Sequence, residues 1–172
     1  SNHHLHTLAQ LALATHEMME FGQQYAADVT ANAKALAAAL DRLGFKVEGK
    51  EFGYTESHQV AVNVSNIGGG ERVSKTLEMN DIVLNMNMLP HEPLRNHDHP
   101  DGVRIGVQEM TRFGMKQDEM ERIAELMKEC VIDNKQVKDA VVKFRRDYQD
   151  VKYSYDDRPD ELLKKASAKT KK

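Results

Sequence analysis

From Leu5 onward the apolar residues Leu8, Leu11, Ala12, Met18 and Met19 recur at roughly helical spacing, and after Phe21-Gly22 the period resumes through Val29, Ala33, Leu36, Ala37 and Leu40. The pattern predicts one long helix or two in succession. Gly44 stands where a left-handed cap is expected, and Phe45-Lys46-Val47 begins an alternating run that predicts the start of a strand. In the stretch from Gln59 to Val64, Val60, Val62 and Val64 alternate with Gln59, Ala61 and Asn63, the period-two signature of a half-buried strand. Gly68-Gly69-Gly70 then breaks the chain as a flexible turn before a short helical pattern through Val73, Leu77 and Met79. Ile82-Val83-Leu84 is apolar and β-branched enough to predict another strand.

Between Leu89 and Gly102 three prolines and three histidines sit in a polar segment unsuited to regular structure, and Val103-Arg104-Ile105-Gly106-Val107 follows as a strand. An amphipathic helix is predicted from Lys116 to about Glu129 and another helical pattern from Asn134 to Tyr148, with disorder expected beyond Asp156. No internal repeat is visible. The order implies an α+β fold: a small, largely antiparallel sheet covered by helices on one face and preceded by a long helical segment. The boundaries read as a helical segment over 1–44, a small α+β domain over 45–156 and a basic tail over 157–172.

Composition narrows the classes of function. The 172 residues are 40% hydrophobic and 30% charged, as expected of one globular domain with its own core. The formal net charge of -3 is unevenly spread, because Arg158 to Lys172 holds six basic residues and two acids, leaving 18 basic against 25 acidic residues before it. An acidic body with a short lysine tail and no interleaved aromatics argues against nucleic-acid binding. Cys130 is the only cysteine, so no internal disulfide is possible, and no apolar run is long enough to span a bilayer. A cytoplasmic setting without membrane association is the expectation. The chain opens at Ser1 within a few residues of a helical pattern, as a domain cut from a longer protein would.

In Gly102-Val103-Arg104-Ile105-Gly106 the side chains of Val103 and Ile105 share one face, which leaves Arg104 on the other with glycines beside it. Glycines in a strand often mark close approach by a ligand, and a guanidinium on a rigid strand suits bidentate recognition of a carboxylate. The alternative is an ion pair with an acid of the same domain. Asn85 and Asn87, two apart before Pro90, point to one face, where they either meet a ligand or satisfy backbone groups of the turn. His3, His4 and His6, and then His91, His97 and His99, lack metal-ligand spacing, so no metal is expected. The methionines read as gap-filling core. Neither a phosphate-binding loop nor a nucleophile elbow is present.

Four segments, in order, resemble the C-terminal third of serine hydroxymethyltransferases: Ser1-Asn2-His3-His4, Glu17-Met18-Met19-Glu20-Phe21-Gly22, Thr55-Glu56-Ser57-His58-Gln59-Val60 and Gly102-Val103-Arg104-Ile105-Gly106. The run Gln108-Glu109-Met110-Thr111-Arg112-Phe113-Gly114-Met115 and the Glu-Ser-His variant resemble the archaeal branch of that family. The likeness extends to about Asp156.

The resemblance implies the C-terminal domain of an aspartate-aminotransferase-like, fold-type I enzyme that uses pyridoxal 5'-phosphate. It implies that Arg104 binds the carboxylate of serine or glycine and that Asn87 lies near a reduced pterin, either tetrahydrofolate or a tetrahydromethanopterin-type cosubstrate, with Met86 in place of the usual lysine. Ser1, Asn2 and His3 correspond to a turn near the cofactor phosphate of a homodimeric partner. The Thr-Thr-His-Lys segment that bears the Schiff-base lysine in this family is absent, so the resemblance implies a chain inactive by itself. Two other readings stay open: a non-catalytic binding or oligomerisation module, and a related aldolase or transaldolase that shares the carboxylate-binding arginine.

Overall fold

The computed structural model describes residues 4–155. The expectation of a disordered basic tail lies outside the described residues, as do Ser1, Asn2 and His3.

Helix α1 runs unbroken from Leu5–Arg42, so the first two helical patterns are one element. Gly22 does not interrupt it; a side chain there would make only ordinary contact with Met18. Strand β1 (Lys46–Val47) and strand β2 (Gln59–Asn63) follow. Helix α2 (Gly69–Glu78), strand β3 (Asn85–Asn87) and strand β4 (Gly102–Gly106) come next. Helices α3 (Gln108–Arg112), α4 (Gln117–Val131) and α5 (Lys138–Arg145) complete the order. The four strands form one antiparallel sheet in the order β1-β2-β4-β3. This is the expected α+β architecture.

Period two divides the sheet sharply. Val60, Val62, Val103 and Ile105 are buried on one face, where α1 and α2 lie against the strands and α4 packs along both helices. Val29, Ala33, Leu36, Ala37 and Leu40 from the second half of α1 share that core with Met120, Ala124 and Met127 from α4. The first half of α1 is different: Leu5, Leu8, Leu11 and Met19 are all more than half exposed.

Three local expectations are corrected. Ile82-Val83-Leu84 is not a strand; β3 begins at Asn85. The Ile82 amide is spent closing α2 on the Leu77 carbonyl (3.0 Å), and Asp81 takes a left-handed φ of 62°, so the next residues serve to cross from the helix to the sheet. Gly68-Gly69-Gly70 is the start of α2 rather than a free turn: Gly68 and Gly69 have φ of 105° and 80°, and a Cβ on Gly70 would overlap the Gly102 carbonyl. The last helix is shorter than its pattern, because Asn134 adopts φ 53° and the buried Asn80 side chain accepts the Val137 amide (2.8 Å) at its start. Helix α3 was not legible as a separate element.

Candidate functional site: the open face of the sheet

Strand register places Arg104 opposite Ala61 of β2 on one side and Asn85 of β3 on the other. Directly paired residues share a face, so Gln59, Ala61, Asn63, Asn85, Asn87, Gly102, Arg104 and Gly106 lie together on the side away from the helices. No helix covers this side among the described residues. Arg104 is exposed, and among the described residues it has no ion-pair partner. Its same-face neighbours along β4, Gly102 and Gly106, lie under the side chains of Leu89 and Gln108, and its neighbour on β2 is the small Ala61.

The side towards β3 is polar. Asn85 is exposed directly across from Arg104, whereas Asn87 donates its amide to the Met88 carbonyl at 2.6 Å and keeps its side-chain oxygen free. Of the two asparagines, only Asn87 thus serves the backbone of the turn.

One end of the face is closed. Leu89 is buried over Gly102, where a Cβ would come within 2.6 Å of the Asn87 carbonyl and of the leucine side chain. Glu92 pins this loop with both carboxylate oxygens, accepting the Leu89 amide (2.9 Å) and the Asp101 amide (3.0 Å). The prolines gave the loop its irregularity; nothing in the sequence pattern gave Glu92 this role. The loop histidines gather no metal site among the described residues.

Two of the other family-like segments, Glu17 to Gly22 and Gln108 to Met115, meet behind the sheet's end. Arg112 pairs with Glu17 at 3.1 Å, Tyr25 donates to the Gln108 carbonyl at 2.9 Å, and the fully buried Asn32 donates to Thr111 Oγ1 and the Met115 carbonyl, both at 2.9 Å. These residues clamp α1 to α3. Asp28 belongs to the same clamp: burial opposes its ionisation, yet hydrogen bonds from Lys116, Tyr153 and Gln24 more than offset that and lower its pKa to about 2. Tyr153 and Tyr155 thereby strap the chain's last described residues across α1.

The open face carries no acid among the described residues, and its one lysine, Lys46, lies at the far strand edge. It therefore offers no partner for a pyridinium nitrogen and no enclosed cradle for a cofactor. An exposed guanidinium on a strand can take a carboxylate through two parallel hydrogen bonds.

A long helix feeding a small antiparallel sheet with helices on one face matches the C-terminal domain of a fold-type I pyridoxal-phosphate enzyme. The crystal structure of L-threonine transaldolase from Pseudomonas fluorescens in its internal aldimine state superposes with a TM-score of 0.77 at 30% identity, over 91% of this chain and 36% of that one. The family model for serine hydroxymethyltransferase matches residues 2–127, and the chain belongs to that family. Serine hydroxymethyltransferase of Saccharolobus islandicus is 51% identical over 100% of this chain and 40% of its own length. Those of Metallosphaera sedula and Methanosphaera stadtmanae are 52% and 48% identical, over 90% and 91% of this chain and 36% and 37% of theirs. The chain thus spans well under half the length of these archaeal relatives.

Proposed function

We propose that this chain is the substrate-carboxylate-binding, C-terminal part of a pyridoxal-phosphate-dependent serine hydroxymethyltransferase that interconverts serine and glycine, and that by itself it is inactive. The observation that carries the reading is Arg104: an exposed guanidinium at mid-strand, with no ion-pair partner among the described residues and the small Ala61 beside it. Its fork offers two parallel hydrogen bonds to a carboxylate, which fixes the amino acid's orientation before reaction. The cofactor, when bound in the intact enzyme, supplies the electron sink for bond cleavage. Residues 1–44 then lead from the cofactor-bearing part, with Ser1, Asn2 and His3 near the cofactor phosphate of the partner in a cytoplasmic homodimer. The exposed Leu5, Leu8, Leu11 and Met19 supply an apolar surface suited to such packing. Asn87 faces the reduced pterin that takes up the one-carbon unit, whether folate or methanopterin in type.

In the full-length enzyme, Arg104→Ala lowers kcat/KM for serine by about 10²- to 10⁴-fold, as expected for losing two charge-assisted hydrogen bonds, while cofactor absorbance is retained. Unchanged serine kinetics refute the assignment. For this chain alone, incubation with pyridoxal phosphate and borohydride leaves no stoichiometric adduct on a single lysine, and finding one contradicts the claim of inactivity. The transaldolase likeness supports a second reading, a related aldol-type transfer. Activity that needs no tetrahydropterin selects it.

A further inference from the structure

Gly106 lies on the open face two residues beyond Arg104, and its place above the sheet is occupied. A Cβ there would come within 2.6 Å of Gln108 Oε1 and 3.2 Å of both Cδ and Nε2, so the terminal amide of Gln108 fills the position that a side chain on residue 106 would take. Side chains two apart along one face of a strand leave the backbone roughly 7 Å from each other, which sets the Gln108 amide beside the stem of Arg104. Pairing with β3 ends at Asn85↔Arg104, so no strand lies across from Gly106 on that edge, and Gln108 is exposed.

The backbone of Gln108 is held while its amide is idle. Tyr25 donates to the Gln108 carbonyl at 2.9 Å and packs its ring 5.1 Å from that of Tyr153, which ties this turn to α1. The Gln108 side chain makes no hydrogen bond among the described residues, whereas Gln59, paired with Gly106 on β2, has its Nε2 engaged with His58 at 3.1 Å. A primary amide carries two N–H donors, and a carboxylate has more acceptor sites than one guanidinium fork fills. We propose that Gln108 is a second residue of the substrate-carboxylate site, donating from Nε2 to the carboxylate that Arg104 holds through its fork. This assignment rests on the reading of Arg104 as the carboxylate's partner, and it adds a neutral donor on the side of Arg104 away from Asn87.

The test uses the full-length enzyme, with the Kd for glycine from calorimetry and steady-state kinetics with serine. Gln108→Met keeps the side-chain length and loses the donors. It weakens glycine binding by about 10- to 100-fold, the range of a hydrogen bond to a charged group, and raises KM for serine in step. Its kcat stays nearly unchanged, because the carboxylate is bound alike before and during reaction. Methylamine, which is glycine without the carboxylate, binds wild type and Gln108→Met equally. Gln108→Glu sets a like charge beside the carboxylate and weakens glycine binding further than Gln108→Met does. The Arg104→Ala enzyme separates the two readings: glycine affinity unchanged in it overturns both. Affinity lost in Arg104→Ala but kept in a Gln108→Met enzyme with the wild-type urea midpoint overturns the Gln108 assignment alone. The same assignment falls if Gln108→Met weakens methylamine as much as glycine, or if Gln108→Glu binds glycine as tightly as wild type.

Discussion

The two faces of the four-stranded sheet are made by the same strands, and they differ by a single residue step. Val60, Val62, Val103 and Ile105 are covered by helices, while Ala61, Asn85 and Arg104 between and beside them are left without a covering element. One face therefore supplies stability and the other presents polar groups to the solvent. A strand fixes where a side chain leaves the backbone more rigidly than a loop does, so the buried valines hold the Arg104 backbone in place from behind. A domain that divides labour this way can change its ligand chemistry without changing its core.

The largest expected effect comes from breaking the covered face. Val62 is 1% exposed at the centre of β2, and Val62→Asp puts an unpaired charge among apolar side chains. The cost is about 3–5 kcal/mol, a large fraction of a typical domain's total stability, and urea unfolding followed by circular dichroism shows either a collapse of the midpoint or no folded baseline. A variant with a wild-type midpoint shows that the helices do not seal this face.

The covered face was also the legible one. Alternating valines announced β2, the helical period announced α1 and α4, and Arg104 stood out because two glycines and two apolar residues framed it. Where partners rather than period decide, the sequence was silent or misleading. Asn85-Met86-Asn87 has little strand propensity and becomes β3 because Gly102 to Arg104 offer a ladder, whereas the better-looking Ile82-Val83-Leu84 is drawn off by the closure of α2. The Asn80–Val137 bond and the Arg112–Glu17 clamp join residues distant in sequence, and no local pattern encodes them. Resemblance found the clamp's segments without revealing that they touch.

A smaller effect tests where the open face ends. Gly102 belongs to that face by register yet is buried under Leu89, and a methyl group there meets the leucine side chain and the Asn87 carbonyl at 2.6 Å. Gly102→Ala costs about 1–3 kcal/mol through overpacking, and the accompanying shift of the loop separates Asn87 from its present position. Isotope-edited NMR places the chemical-shift changes on residues 87–92 and leaves α4 unaffected. Changes that spread evenly through the helices mean that the two faces are less independent than the register implies.

The smallest effect is the most discriminating. Arg104→Ala removes a long side chain that has no ion pair and no helix above it among the described residues, so only partial contacts of its methylene stem with neighbouring strands are lost. The unfolding midpoint of this chain in urea moves by no more than about 0.5 kcal/mol of stability, the range of ordinary surface substitutions. The same substitution in the full-length enzyme is the one expected to cost orders of magnitude in serine turnover, and that disproportion separates recognition from architecture. A stability loss of about 2 kcal/mol or more places Arg104 in the fold's own support, and any accompanying loss of turnover then reports a disturbed sheet instead of a missing carboxylate contact.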